Sequence, residues 1–235
     1  MTSSTAPAAP VQALLLVDLQ SAFVHGEGAV PHAEELVAHA RDLLQRARAA
    51  GAFVVHLQND GPEGADDETG TPGWELHLPV REGAREHVVR KEEDDGFAGT
   101  RLRSLLDDAG VGALAVCGVM SEMCVSATAR TALRLDYRVV VPHDAHGTYD
   151  VPAAEGIAPL VPARTVSRVA EWALGDRAEV VARAADVTFE AVATAPATAT
   201  TAPATDTTPA TAVAPAPASD SAPDSAPVVT DGGAV

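Results

Sequence analysis

Three residues of this chain have the types that nucleophilic hydrolysis needs, and each lies at or just beyond the carboxyl end of a predicted strand. They are an acid, Asp18, a cation, Lys91, and a thiol, Cys124. A thiolate can attack an acyl carbon, a carboxylate can carry the thiol proton, and an ammonium group can stabilise both anions. The combination indicates acyl transfer through a thioester.

The thiol of Cys124 follows an apolar run that ends at Gly118, and a helical pattern begins near Ser121. In the first turn of a helix, unpaired backbone N–H groups and the helix dipole favour an anion. We therefore expect a depressed pKa for this thiol. The same turn would offer the backbone N–H groups of Met120 and Cys124 to a developing oxyanion.

Apolar runs typical of strands alternate with helical patterns along the rest of the chain. This order predicts an α/β fold in which a mainly parallel sheet of about six strands lies between two helical layers. Ligands bind such sheets beyond the carboxyl ends of the strands, where the three residues would meet. The predicted strands cover 13–17, 53–57, 87–90, 113–117, 138–141 and 179–182, and the predicted helices cover 33–50, 100–108, 121–135 and 165–174.

A long segment without periodicity, 58–86, is rich in glycine and proline and is typical of a binding loop or lid. It contains Trp74 and His77, which are candidates for substrate contact. Trp74 and Phe23 are equally compatible with lining a substrate pocket and with packing in the core. Met123, beside the thiol, is a further candidate for substrate binding.

The composition divides the chain into one domain and two flanking segments. Residues 11–193 have the apolar content of a single compact domain. The tail, 194–235, consists largely of Ala, Pro, Thr and Ser and has no basic or aromatic residue, so we predict that it is disordered, as is the leader, 1–10. Trp172, in the last predicted helix, belongs either to the core or to a subunit contact.

The net charge of −17 argues against binding to nucleic acid or to an anionic membrane. No apolar run has the length needed to cross a bilayer, and the N-terminus lacks the pattern of a secretion signal. Cys117, which we assign to the core, and Cys124 have neither a metal-ligand nor a redox spacing. We therefore expect a reducing, cytoplasmic location.

These motifs resemble those of the isochorismatase-like cysteine hydrolases, and the resemblance covers essentially the whole domain. It includes a strand-end aspartate with an aromatic residue five positions later, a lysine followed by a Phe-x-Gly-Thr segment, and a glycine six positions before a Cys-Val pair. The matching residues are Asp18 and Phe23, Lys91 with Phe97 to Thr100, Gly118 with Cys124 and Val125, and Asp144-Ala145-His146 after the following strand.

The resemblance implies a catalytic triad in which Asp18 is the general base and then acid, Lys91 the electrostatic partner and Cys124 the nucleophile. It also implies a cis peptide bond between Val119 and Met120 in the oxyanion turn. A small-molecule amide is the expected substrate, and a homodimer or larger homo-oligomer is the expected assembly.

Departures from the family pattern narrow the activity. The metal ligands of nicotinamidases are missing after the second strand, where the chain reads His56 to Gly61, so we predict no catalytic metal and no cofactor. The spacing of His56, His77, His143 and His146 fits no standard ligand set, and we interpret them as scattered residues. Segments 73–77 and 120–125 resemble a metal-free subgroup that includes a lactam-opening hydrolase.

The predicted function is therefore hydrolysis of the C–N bond of a small amide, lactam or carbamoyl compound. Two alternatives remain open from the sequence. One is isochorismatase-type ether hydrolysis without a covalent intermediate. The other is a catalytically silent binding scaffold.

Overall fold

The central strand β1 (Ala13–Val17) consists of five apolar residues, and all five are buried. Successive side chains of a strand point to opposite faces of the sheet. Leu14 and Leu16 accordingly pack in the core on the side of helix α2 (Ala33–Ala50), and Leu15 packs in the core on the opposite face. Burial on both faces explains why β1 is apolar throughout rather than alternating.

The computed structural model describes residues 9–192. Residues 1–8 of the predicted leader, all of the predicted tail, 194–235, and Ala193 at the end of the predicted domain lie outside the described residues. The carbonyl oxygens of Ala9 and Pro10 each accept a 2.6 Å hydrogen bond from Arg138. Within 9–192, no helix has the length and hydropathy of a membrane span.

The observed elements follow the predicted alternation of strands and helices. The strands after β1 are β2 (Phe53–Asn59), β3 (Glu86–Lys91), β4 (Ala113–Val119), β5 (Arg138–Pro142), β6 (His146–Gly147) and β7 (Ala178–Val181). The helices are α1 (Ser21–Val24), α2, α3 (Leu102–Asp108), α4 (Ser126–Arg134) and α5 (Ala163–Ala173).

Six strands form one parallel sheet in the order β3-β2-β1-β4-β5-β7, and the short β6 pairs with β4. The predicted α/β fold is confirmed. Because β1 pairs in parallel with both β2 and β4, its carboxyl end lies beside the carboxyl ends of these two strands.

The predicted helix 121–135 differs from the observed structure. It is divided into a π-helical segment, Ser121–Val125, and the regular helix α4. The break occurs because Met123 has φ −104° and ψ −106°, which are not helical angles. We call Ser121–Val125 the cysteine segment, since it carries Cys124. Helical periodicity could not reveal the break, because the apolar pattern continues across it.

The close approach of β4 to β1 requires a glycine at position 118. Gly118 has φ +123°, and a Cβ atom at this position would lie 2.0 Å from the carbonyl oxygen of Val17. Gly118 is the last residue of β4 that pairs with β1, and its partner Val17 directly precedes Asp18. The geometry of the strand end therefore depends on the absence of a side chain.

We predict that Gly118→Ala destabilises the protein by more than about 3 kcal/mol, because the added methyl group overlaps backbone that cannot move aside. Gly110→Ala is the matched control: Gly110 also has positive φ, +68°, but a Cβ there has open space. It should cost only about 1 kcal/mol. Urea unfolding of both variants measures the difference, and equal losses would contradict the steric explanation.

Candidate active site

The structure brings Asp18 and Lys91 together as a buried ion pair. The Nζ atom of Lys91 lies 2.8 Å from Oδ2 of Asp18, and the two side chains are 0% and 3% exposed. Asp18 follows β1 with φ +48°, whereas Lys91 is the last residue of β3. Since β2 lies between these strands, the long lysine side chain spans the end of β2 to reach the carboxylate.

Cys124 lies against the same ammonium group. Its Sγ atom is 3.4 Å from Nζ of Lys91 and 3.6 Å from Oδ1 of Asp94. Unlike the other two groups, the residue is only half-buried, so the thiol lies at the mouth of the site. The three predicted residues thus form one constellation around the lysine nitrogen.

The second carboxylate oxygen of Asp18, Oδ1, is buried and has no hydrogen-bond partner among the described residues. A buried carboxylate oxygen without a partner is costly, and it is therefore rare in folded proteins. This oxygen is available to accept a proton from the thiol or from a bound molecule.

The charges of the three groups shift one another's pKa values. Burial raises the pKa of Asp18, and the Lys91 ammonium group offsets this only in part. Burial would lower the pKa of Lys91, but its interactions with Asp18 and Cys124 together outweigh burial, and the pKa is raised. Burial and then the charge of Asp18 raise the pKa of Cys124, against the opposite effect of Lys91.

The expected depression of the thiol pKa is therefore wrong for the resting site. The helix start favours a thiolate, but a thiolate here would lie beside a carboxylate, with a single ammonium group to balance both. In the resting site the raised pKa values favour a charged Lys91 and a neutral thiol, whereas Asp18 is subject to burial, which favours its neutral form, and to Lys91, which favours its anion. Proton transfer from Cys124 to Asp18 keeps the charge balanced.

The loop after β3 is fixed against α4, which places Asp94 beside the thiol. Thr131 donates a 2.6 Å hydrogen bond to Asp95, and the N–H of Gly96 donates a 2.9 Å bond to Thr128. A Cβ at Gly96 would lie 2.5 Å from a methyl carbon of Leu57, so any other residue would force the buried leucine side chain to move. The acidic run 92–95 is thus anchored at Asp95.

Comparison with known proteins identifies the family. A model of the isochorismatase domain matches residues 12–157, which is more than half of the chain. This chain belongs to the isochorismatase family. A streptothricin hydrolase from Streptomyces noursei is 63% identical over 81% of this chain and 77% of that protein.

Solved structures of the family agree with the fold. An isochorismatase from Pseudomonas putida covers 78% of this chain and 94% of its own length, with 27% identity and a TM-score of 0.69. N-carbamoylsarcosine amidase from Thermoplasma acidophilum covers 73% of this chain and 95% of its own length, with 29% identity and a TM-score of 0.57. The predicted family and the predicted enzyme class, a hydrolase, are confirmed.

The turn that the family resemblance predicted is present. The peptide bond between Val119 and Met120 is cis. The carbonyl oxygen of Met120 accepts hydrogen bonds from the N–H groups of Met123 and Val125 at 3.1 and 3.2 Å. These bonds close the turn that contains Cys124.

Sequence reasoning missed the amide side chains that support the lysine. Asn59 lies at the end of β2, and its Oδ1 atom is 3.4 Å from Nζ of Lys91. Its side-chain NH₂ group donates a 2.7 Å hydrogen bond to Asp67. The side chain of Gln20 makes two hydrogen bonds with the backbone of Asn59, at 2.8 and 3.0 Å. Their positions could have identified Gln20 and Asn59, because each follows the end of a predicted strand within a few residues.

Trp74 and His77 lie in the long loop, where it runs beside the chain after Asp18. Trp74 donates a 2.9 Å bond to Asp60, and the guanidinium group of Arg90 lies 5.0 Å above its ring. The ring of His77 stacks on that of His25, with centroids 5.6 Å apart. These contacts hold both aromatic rings within the loop region, and a substrate contact by either remains a prediction.

Phe23 and Met123 have different environments. Phe23 is partly buried and packs against the core on the side of α2. The side chain of Met123 is 47% exposed beside the thiol. Met123 therefore meets the accessibility requirement for substrate binding better than Phe23 does.

The interpretation of the histidines as scattered residues is wrong for His143 and His146. His56 is buried and lies 3.1 Å from Glu86, which is also paired with Arg48. His143 and His146 lie together around a buried carboxylate, Glu171. Their sequence spacing concealed this cluster, because Glu171 comes from a different element, α5.

We predict that Asp18→Asn lowers the pH at which Cys124 becomes reactive, because the variant removes a charge that raises the thiol pKa and leaves Lys91 in place. Lys91→Met should shift the reactivity to higher pH. The measurement is the alkylation rate against pH, followed by peptide mass spectrometry. Cys117, fully buried with its pKa raised by burial to about 12, is the internal control. An unchanged profile in both variants would contradict the electrostatic coupling.

Proposed function

We propose that this protein hydrolyses the C–N bond of a lactam of the streptothricin type through a thioester on Cys124. The observation that carries the proposal is the contact of Lys91 with both Asp18 and Cys124, beside a carboxylate oxygen that has no partner among residues 9–192. Similarity to a streptothricin hydrolase over most of both chains supports the choice of substrate.

In the proposed first step, Asp18 accepts the thiol proton as Sγ of Cys124 attacks the carbonyl carbon. The carbonyl oxygen becomes an oxyanion, which the backbone N–H groups of Met120 and Cys124, in the turn after Val119, stabilise. Asp18 then returns its proton to the departing nitrogen as the C–N bond breaks. In a lactam this amine remains attached to the acyl group by the opened ring.

In the proposed second step, water hydrolyses the thioester. Asp18 takes a proton from the water, whose oxygen attacks the thioester carbon. The C–S bond then breaks, the sulfur regains a proton from Asp18, and the product leaves as an amino acid. Lys91 remains charged throughout, so that one ammonium group balances the negative charge that moves between carboxylate and sulfur.

Two other functions would use the same pocket differently. Ether hydrolysis without a covalent intermediate would not need the thiol, and a silent scaffold would need neither turnover nor a reactive cysteine. The lysine–thiol distance of 3.4 Å favours covalent catalysis over both. Small carbamoyl compounds are useful comparison substrates, since an N-carbamoylsarcosine amidase shares the fold.

We predict that Cys124→Ala abolishes turnover of a streptothricin lactam and that Asp18→Asn lowers kcat by about 10²- to 10⁴-fold through loss of general acid–base catalysis. Acid quenching of wild-type enzyme during turnover should trap an acyl adduct on the peptide that contains Cys124. Cys117→Ala is the matched thiol control and should retain activity. Full turnover by Cys124→Ala would favour the ether-hydrolysis mechanism instead.

We also propose that the protein is a cytoplasmic homodimer. Its free thiols, Cys117 and Cys124, suit a reducing compartment. The outer face of α5 leaves Val169 and Trp172 56% and 67% exposed, next to a groove of about 250 Å³. Trp172 is therefore not a core residue, and of the two roles considered, the subunit contact fits its exposure.

We expect the wild-type protein to elute as a dimer and Trp172→Glu as a monomer, because a charge at the centre of an apolar contact opposes association. Size-exclusion chromatography with light scattering measures the mass of each. Val180→Glu, which introduces the same charge at a 40% exposed position on β7, is the control and should remain dimeric. A monomeric wild type would rule out the dimer.

A further inference from the structure

A second polar cluster lies apart from the lysine–thiol site, where the chain after β5 meets α5. Its three members are His143, His146 and Glu171. Oε1 of Glu171 lies 2.5 Å from Nδ1 of His143 and 3.0 Å from Nε2 of His146. One candidate ligand atom from each residue lies within 4.8 Å of the other two. The three side chains therefore converge on one point.

The orientation of His146 is set by a partner on its far side. Nδ1 of His146 is 2.8 Å from Oγ of Ser121, and that hydroxyl is 2.9 Å from Oγ of Ser167. Without a metal, Nε2 of His146 donates to the Glu171 carboxylate and Nδ1 accepts from the hydroxyl of Ser121. A bound metal would move the proton to Nδ1, which would then donate to Ser121 and leave the lone pair of Nε2 for the ion. This is the arrangement in which a metal-binding histidine is usually held by its second ring nitrogen.

Two imidazole nitrogens and one carboxylate oxygen form a ligand set of borderline softness, which suits zinc and disfavours magnesium and calcium. Zinc bonds to nitrogen and oxygen are about 2.0–2.1 Å, so tetrahedral ligand atoms lie about 3.3 Å apart. The two observed separations from Glu171 need to widen only by a fraction of an ångström. We propose that His143, His146 and Glu171 form a binding site for a zinc ion, with water as the fourth ligand.

Access and charge both permit an ion at this position. The side chain of His143 is 44% exposed, whereas those of His146 and Glu171 are each 1% exposed, so the cluster opens to solvent on one side only. Arg168 is the nearby cation, 3.4 Å from Oε2 of Glu171. Its side chain is half exposed and can turn into solvent, and it faces the carboxylate oxygen that the proposed ion does not use.

The site is separate from the proposed chemistry but is connected to the cysteine segment. Ser121, the partner of His146, is the first residue of that segment, and Cys124 lies three positions later. Bound zinc would cross-link residues 143–146 to α5 and fix the imidazole that holds Ser121. Its proposed role is to stabilise this anchor, and no step of the hydrolysis uses it.

The test is titration of the metal-free protein with Zn²⁺ by isothermal calorimetry, with Co²⁺ absorption as a report on the ligands. We expect one zinc per chain and a cobalt spectrum without thiolate charge transfer. His143→Ala should weaken zinc binding at least tenfold while leaving the fold intact, since this side chain is half exposed. Zinc should raise the Tm of the wild type and have a smaller effect on the variant.

Two controls distinguish this site from other zinc ligands on the chain. Cys124→Ala should bind zinc as the wild type does, and so should His25→Ala, which removes the other close histidine pair. Glu171→Gln should also weaken binding, with circular dichroism as the check that it folds. Because the readout is metal binding rather than turnover, the result is independent of the proposed lactam hydrolysis.

Three outcomes would overturn the proposal. One is absence of stoichiometric zinc binding, which would leave the cluster as a hydrogen-bonded network that anchors Ser121. The second is zinc binding that persists unchanged in His143→Ala. The third is binding lost in Cys124→Ala, with a thiolate band in the cobalt spectrum, which would place the ion at the lysine–thiol site instead.

Discussion

The buried ammonium group of Lys91 is the interaction on which the rest of the site depends. It is the cation that faces Asp18 at 2.8 Å, and its nitrogen also lies 3.4 Å from the sulfur of Cys124. A buried carboxylate without this cation would be strongly disfavoured, and a thiolate beside that carboxylate still more so. The single positive charge of Lys91 thus allows one negative charge to move between the carboxylate of Asp18 and the sulfur of Cys124.

Parallel strand topology brings these three groups together from distant parts of the chain. Asp18 follows β1 and Lys91 ends β3, and these two strands lie on either side of β2. The cysteine segment follows β4, which pairs with the other side of β1. Gly118 permits β4 to approach Val17, and Asn59 supports the lysine side chain where it crosses the end of β2. The sheet therefore acts as a rigid frame, and short polar contacts at its edge set the final distances.

The cysteine segment departs from regular helix, and contacts on two sides hold it. On one side, the loop after β3 is bonded to α4 through Asp95 and Thr131, which places Asp94 beside the sulfur. On the other side, Ser121 is held by His146 and through it by Glu171. A backbone conformation that departs from regular helix is kept only where surrounding contacts hold it, and these two sets of hydrogen bonds hold the cysteine segment.

The strands, most helices and the three residues of the lysine–thiol site could be predicted from the local pattern of the sequence. A strand buried on both faces of a parallel sheet is an apolar run, and the polar residues that follow such runs mark the edge of the sheet where ligands bind. Only the tertiary structure decided the protonation of the thiol and the grouping of His143, His146 and Glu171. Both depend on distances between residues far apart in the chain, and the size of an electrostatic interaction depends on such distances. Spacing along a sequence carries no information about them.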